Sequence, residues 1–261
     1  MTKVSLALLV SFTLSRLFED SRSVSRTKPM DSDDERDPLN AFMQGSDVTV
    51  VPDQLPSVRH GEKLQLSFSG TDITITVDLV LDSSPGCGGV AWPAGEVLSQ
   101  YLVDKLGPGS LRGKKVLELG SGTGLVGLVA AMLGGTVYLT DQAPLLNIIR
   151  ENVEINKLSS LCVVEELNWG EPIPAQIPRP DVILAADCVY FEPAFPLLVQ
   201  TLCDLVDGDT EVLFCYKKRR KADKRFFTLL KKKFHWSNVP DEPASAIYSR
   251  ESISLLRLTK L

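Results

Sequence analysis

From Lys114 onward the sequence alternates short apolar runs with longer amphipathic ones, and this alternation constrains the fold more than any other feature. "KKVLEL" reads as a strand, "GLVGLVAAMLGG" as a buried helix closed by glycine, and "TVYLTD" as a second strand. "PLLNIIRENVEINK" has helical spacing, and "CVVEELNW" reads as a third strand. "DVILAAD" is apolar between its two aspartates, as a strand covered on both faces should be, and "FPLLVQTLCDLV" supplies the next helix. "EVLFCY" is a fifth strand, followed by a basic helix from Arg220 to Lys233 and a final alternating run, "SISLLRLTKL". Strands and helices in this order bury their apolar faces in a mostly parallel sheet with helices on both sides, so the sequence predicts an α/β fold.

The segment before Lys114 adds two elements. "LQLSF" and "ITITVDLVL" alternate around Ser69-Gly70-Thr71-Asp72, the pattern of a β-hairpin. "SSPGCGGVAWPAGEVLSQYLVDKLGPG" then gives a glycine loop and a helix with Pro93 in its first turn, ending at Gly107. Residues 1–45 read as a disordered or non-native extension, with Met30 as the expected start of the working protein and residues 46–261 as one domain. The apolar run from Val4 to Leu14 resembles a short targeting segment, but it is too short to span a bilayer.

Composition narrows the chemistry. The formal net charge of -5 gives no global attraction to nucleic acid or to an anionic membrane. The 5 cysteines are odd in number and lack C-x-x-C pairing, which suits reduced thiols and a cytoplasmic protein, expected to be a monomer. With only 2 histidines, His60 and His235, a histidine-based metal site is not expected.

The loop "LELGSGTGLVG", Leu117 to Gly127, carries two nucleotide-binding frames at once. Gly122, Gly124 and Gly127 spell the G-x-G-x-x-G of dinucleotide enzymes, whereas Gly120, Gly122 and Gly124 spell the G-x-G-x-G seen where S-adenosylmethionine binds. The strand runs directly into Gly120, so the second frame places its first glycine at the turn. Glu118 points the same way, because a carboxylate at the strand end can accept hydrogen bonds from an ammonium group but would repel a pyrophosphate. Asp141 ends the second strand, where an acidic side chain can hold ribose hydroxyls of either cofactor.

These segments resemble the seven-strand protein-lysine methyltransferases. The resemblance rests on "GCGGVAWPAGEVLSQYL", "VLELGSGTGLVGL", "NWGEP" and "ILAADCVYFEPAFPLL", from about Pro85 to Leu202. "YKKRRKADKRFF" further resembles the fungal members that methylate translation elongation factor 1-alpha. The resemblance implies a class I, Rossmann-like sheet of seven strands with helices on both faces, behind the N-terminal hairpin. It also implies S-adenosylmethionine as cofactor and cofactor contacts from Trp92, Gly120, Ser121, Gly122, Asp141, Trp169 and Ala186, to which Glu118 is added by the strand-end reading. In the acceptor pattern D-x-x-Y, it implies that Asp187 orients the incoming amine and Tyr190 walls its aliphatic stem.

Enzymes acting on base amines or glutamine amides usually carry an N/D-P-P-Y/F/W loop at this strand end, and "DCVY" has no such prolines. An RNA or small-molecule methyltransferase remains an alternative, as does a catalytically silent scaffold. The run from Lys217 to Lys233 has Asp223 as its one acid. It reads either as a solvated helix face or as a docking surface for an acidic protein or its bound RNA, with Arg219, Arg220 and Lys224 on that surface.

Overall fold

In the computed structural model, residues 61–219, 223–239 and 252–261 are described. The expectations for residues 1–45, with Met30 as the start, and for Arg220 lie outside them. The hairpin forms as predicted: β1 (Glu62–Ser69) and β2 (Thr74–Leu81) pair antiparallel, and Gly70 N–H donates to the Ile73 carbonyl at 2.8 Å to close the turn. Its alternation separates an outer ladder, with Gln65 Nε2 donating to Asp78 Oδ1 at 2.7 Å, from an inner row of Phe68, Val77 and Leu79 that is buried.

Pro93 opens α1 (Pro93–Lys105), where its missing N–H would have had no helical partner. The alternating half then follows in order: β3 (Lys115–Leu119), α2 (Leu125–Met132), β4 (Thr136–Asp141), α3 (Leu146–Ile155), β5 (Cys162–Glu166) and β6 (Val182–Ala186). After it come α4 (Phe195–Leu205), β7 (Glu211–Lys217), α5 (Asp223–Leu230), β8 (Phe234–Asn238) and β9 (Ile253–Lys260). The sheet has 7 strands in the order β5-β4-β3-β6-β7-β9-β8, parallel from β5 to β7, with β9 antiparallel to both β7 and β8.

The two-residue period of the strands divides the interior into two cores. Val116, Leu184 and Leu213 face α1, α2, α3 and the hairpin, whereas Leu117, Ile183 and Phe214 face α4 and α5. Asn152 of α3, fully buried, locks the first layer together. Its Oδ1 accepts from Val80 N–H of β2 at 2.7 Å, and its Nδ2 donates to the Val80 carbonyl at 3.1 Å and to the Thr123 carbonyl of the glycine loop at 3.0 Å.

One expectation is corrected, and one strand was not foreseen. The basic helix is shorter than 220–233: within the described residues α5 covers Asp223–Leu230, and Lys231–Lys233 form a turn. The next residues, Phe234–Asn238, are a strand that the sequence did not announce, because all but Phe234 are exposed and no alternation shows. Among the described residues no helix is long and apolar enough to cross a membrane.

Candidate active site

Strand order reverses between β3 and β6, and loops diverging from two neighbouring parallel strands leave a crevice at their carboxyl ends. A cavity of about 410 Å³ opens there. Its lining includes every residue expected to hold cofactor or acceptor: Trp92, Glu118, Gly120, Ser121, Gly122 and Asp141 on the glycine-loop side, and Trp169, Ala186, Asp187 and Tyr190 across the switch point.

The glycine loop resolves which of the two frames is in use. Gly120, Gly122 and Gly124 have φ of 62°, 57° and 82°, the left-handed region that costs glycine little. Gly122 also lies against the loop before α1, where a Cβ would stand 2.5 Å from the Gly88 carbonyl oxygen. Gly127 is different in kind: it sits inside α2, and a Cβ there would collide with Leu139, so its role is helix-to-sheet packing.

Four N–H groups of the loop and of the start of α2 already have acceptors within the protein. Ser121 N–H donates to the Thr140 carbonyl at 3.0 Å, Gly122 N–H to Asp141 Oδ2 at 2.8 Å, and Gly124 N–H to the Ser121 carbonyl at 2.7 Å. Gly127 N–H donates to Glu118 Oε2 at 3.1 Å. A pyrophosphate would need those same donors and would meet two carboxylates instead. The carboxylate acceptors therefore suit a cationic ligand with a diol, which is what S-adenosylmethionine presents.

Electrostatics agree with that reading. Glu118 is 2% exposed, and burial pushes its carboxyl up to about 8 despite the Gly127 and Ser121 hydrogen bonds. Asp141 is pushed up to about 6, again by removal from water and against the bonds from Gly122 and Gln142. An ammonium or sulfonium nearby would favour the ionised form of both. Ser121 is committed locally, its hydroxyl accepting from Thr140 N–H at 2.9 Å, so it fastens the loop to β4.

The tryptophans are held as rigid walls. Trp92 Nε1 donates to the Cys87 carbonyl at 2.8 Å, and Trp169 abuts Gly120 so closely that a Cβ there would stand 3.0 Å from the indole edge. Ala186, the last residue of β6, lines the same cavity.

The β6 side of the cavity departs most from what the sequence suggested. Asp187 has φ of 59°, a left-handed backbone in a non-glycine residue directly after β6, and is 7% exposed. Its carboxylate is gripped from two sides of one guanidinium: Arg219 Nη1 donates to Oδ1 at 2.7 Å and Nη2 to Oδ2 at 2.6 Å, while Lys217 N–H donates to Oδ1 at 3.1 Å. The Arg219 guanidinium also lies 5.3 Å from the Trp92 ring centroid. Arg219 is thus corrected from docking surface to cavity wall, with its side chain 8% exposed. The sequence hid it, since one arginine in a run of lysines and arginines carries no mark of turning inward. Burial holds the Tyr190 hydroxyl well above its ordinary range, in hydrogen-bond reach of the Cys87 thiol, which is itself pushed up to about 12.

Comparison with known proteins matches this architecture. The lysine methyltransferase family model matches residues 71–233. The chain is 38% identical to the protein-lysine N-methyltransferase EFM6 of Saccharomyces cerevisiae, over 77% of this chain and 92% of that protein. It is 44% identical to the protein N-lysine methyltransferase METTL21A of Danio rerio, over 59% of this chain and 72% of that protein. Among solved structures, the 16S rRNA N2 G1207 methyltransferase RsmC of T. thermophilus, in complex with AdoMet and guanosine, superposes with a TM-score of 0.53 at 19% identity. That likeness covers 79% of this chain and 52% of that one, and it shows the shared class I fold. With a seven-strand sheet, a cavity at its switch point and relatives of this kind, the chain belongs to the lysine methyltransferase family.

Proposed function

We propose that this enzyme methylates a lysine of translation elongation factor 1-alpha, with Asp187 and Tyr190 receiving the lysine. The observation that carries the acceptor assignment is the position of Asp187: a nearly buried carboxylate in a left-handed turn, at the end of β6 and across the switch point from the glycine loop. The elongation factor is favoured by the resemblance of the whole stretch through "YKKRRKADKRFF" to fungal enzymes acting on it.

Bound S-adenosylmethionine supplies a methyl group already activated by its sulfonium, so no covalent enzyme intermediate is needed. The residues of the chain bind and orient. Asp141 accepts the ribose hydroxyls with the lone pairs left by Gly122 and Gln142, and Glu118 faces the amino-acid end. Gly120, Ser121 and Gly122 shape the floor, and Trp92, Trp169 and Ala186 enclose the remainder. Asp187 accepts a hydrogen bond from the incoming amine, and Tyr190, kept protonated by burial, lies along the lysine stem.

Steady-state kinetics on whole elongation factor 1-alpha test this assignment. Asp187→Asn, which tolerates the left-handed backbone, is expected to lower kcat by at least about a hundredfold with cofactor affinity nearly unchanged, because orientation acts on the transition state. Parent-like turnover by this variant would remove Asp187 from the mechanism.

A further inference from the structure

Arg219 is a cation standing where a cation is to arrive. It lines the cavity, spans from the Trp92 ring to the Asp187 carboxylate, and neutralises the one group expected to attract the lysine. A lone carboxylate would stabilise the lysine ammonium, yet only the uncharged amine has a lone pair with which to attack. We propose that Arg219 is a positioning residue of the acceptor site that acts through charge, holding the incoming lysine Nζ in its neutral, nucleophilic form beside Asp187. This rests on the acceptor reading given above.

The geometry supports the role in three ways. Two parallel bonds fix the guanidinium in the plane of the carboxylate, so Asp187 keeps its orientation while its charge is cancelled. The Arg219 backbone is anchored as well, its N–H donating to Asp223 Oδ2 at 3.0 Å, so the side chain leaves from a fixed point. Asp187 then has lone-pair capacity for one further donor, an N–H of a neutral amine. The ammonium proton passes to water before the amine seats, and the nitrogen lone pair stays directed away from Asp187.

Other titratable groups face the same space. Asp187 and Asp223 flank Arg219, Glu118 and Asp141 line the cavity opposite, and Glu171 lies on the connection before β6. Cys87, Cys188 and Tyr190 are all held above their ordinary ranges by burial and stay protonated near neutrality. Glu118, at about 8, titrates in the window of interest, so profiles are taken with saturating cofactor and repeated in Glu118→Gln.

The test is a set of pH profiles for the parent, Arg219→Met, Arg219→Lys, Asp187→Asn and the double variant Asp187→Asn/Arg219→Met. In kcat at saturating elongation factor 1-alpha, Arg219→Met is expected to move the acid limb up by about one pH unit, a loss of about tenfold near neutrality that high pH restores. Asp187→Asn should move it down, Arg219→Lys should leave it close to the parent, and the double variant should return toward the parent. Binding of n-butylamine, followed by tryptophan fluorescence, gives a second readout that requires no turnover. Affinity should tighten with pH in the parent, and this dependence should weaken in Arg219→Met, where the lone Asp187 carboxylate also accepts the ammonium form. Limbs that do not move in kcat, or the same pH dependence of amine binding in every variant, overturn the proposal. A parent that ignores elongation factor 1-alpha yet shows the butylamine shift overturns the substrate and leaves the role of Arg219 standing.

Discussion

Asp141 and Glu118 illustrate how single side chains can be needed twice. Asp141 accepts from Gly122 N–H at 2.8 Å and from Gln142 N–H at 2.7 Å, so it holds the glycine loop in shape as well as facing the cavity. Asp141→Ala is therefore expected to weaken S-adenosylmethionine binding by about 1–3 kcal/mol or more, measured by calorimetry, since loop donors and ribose hydroxyls both lose their acceptor. Unchanged affinity in a folded variant would contradict the assignment. Asp141 was legible in the sequence because it ends a strand at a fixed place in the fold. Asp187 was legible for the same reason. Arg219 was not: its partner lies far away in sequence, and its neighbours are chemically alike, so only the turn of the chain after β7 separates it from Lys218 or Lys224.

Elements show a similar division. The strands of the alternating half were readable because burial on both faces leaves apolar runs, whereas β8 was hidden by its exposure. Asn152 was also hidden, since a single polar residue in an amphipathic helix gives no sign that it joins α3, the hairpin and the glycine loop. Asn152→Ala leaves buried backbone groups of Val80 and Thr123 without partners and is expected to destabilise the fold by about 1–3 kcal/mol, measured by denaturant unfolding. No loss of stability would show that α3, the hairpin and the glycine loop are held together by apolar packing alone. For the basic segment, Lys224, Lys231 and Lys232 remain exposed and replace Arg219 as the test of docking. Reversing these three to glutamate should mainly raise KM for the whole substrate, and the parent KM should rise with salt. No change at either ionic strength would make the segment a solvated face.

Over the whole molecule, the catalytic crevice is bought with buried acid. The Glu118 carboxyl is raised from 4.5 to about 8, so its contribution to stability is complete below its unfolded value and is lost as pH rises through about 8. The melting temperature of the parent should therefore fall relative to that of Glu118→Gln between about pH 5 and pH 8 and level off above, a difference that isolates one group from the rest of the titration. A constant gap would mean that Glu118 is not held protonated by the fold. Bound cofactor, by placing an ammonium near the carboxylate, should shrink the gap. The measurement that bears most directly on function is a mass-spectrometric search for the transferred methyl group, after incubating the protein with isotopically labelled S-adenosylmethionine and purified elongation factor 1-alpha. The label is expected on a lysine Nζ of the elongation factor and is expected to be nearly absent with Asp187→Asn. Label on RNA, on another side chain or undiminished in that variant would contradict lysine methylation at the Asp187 site.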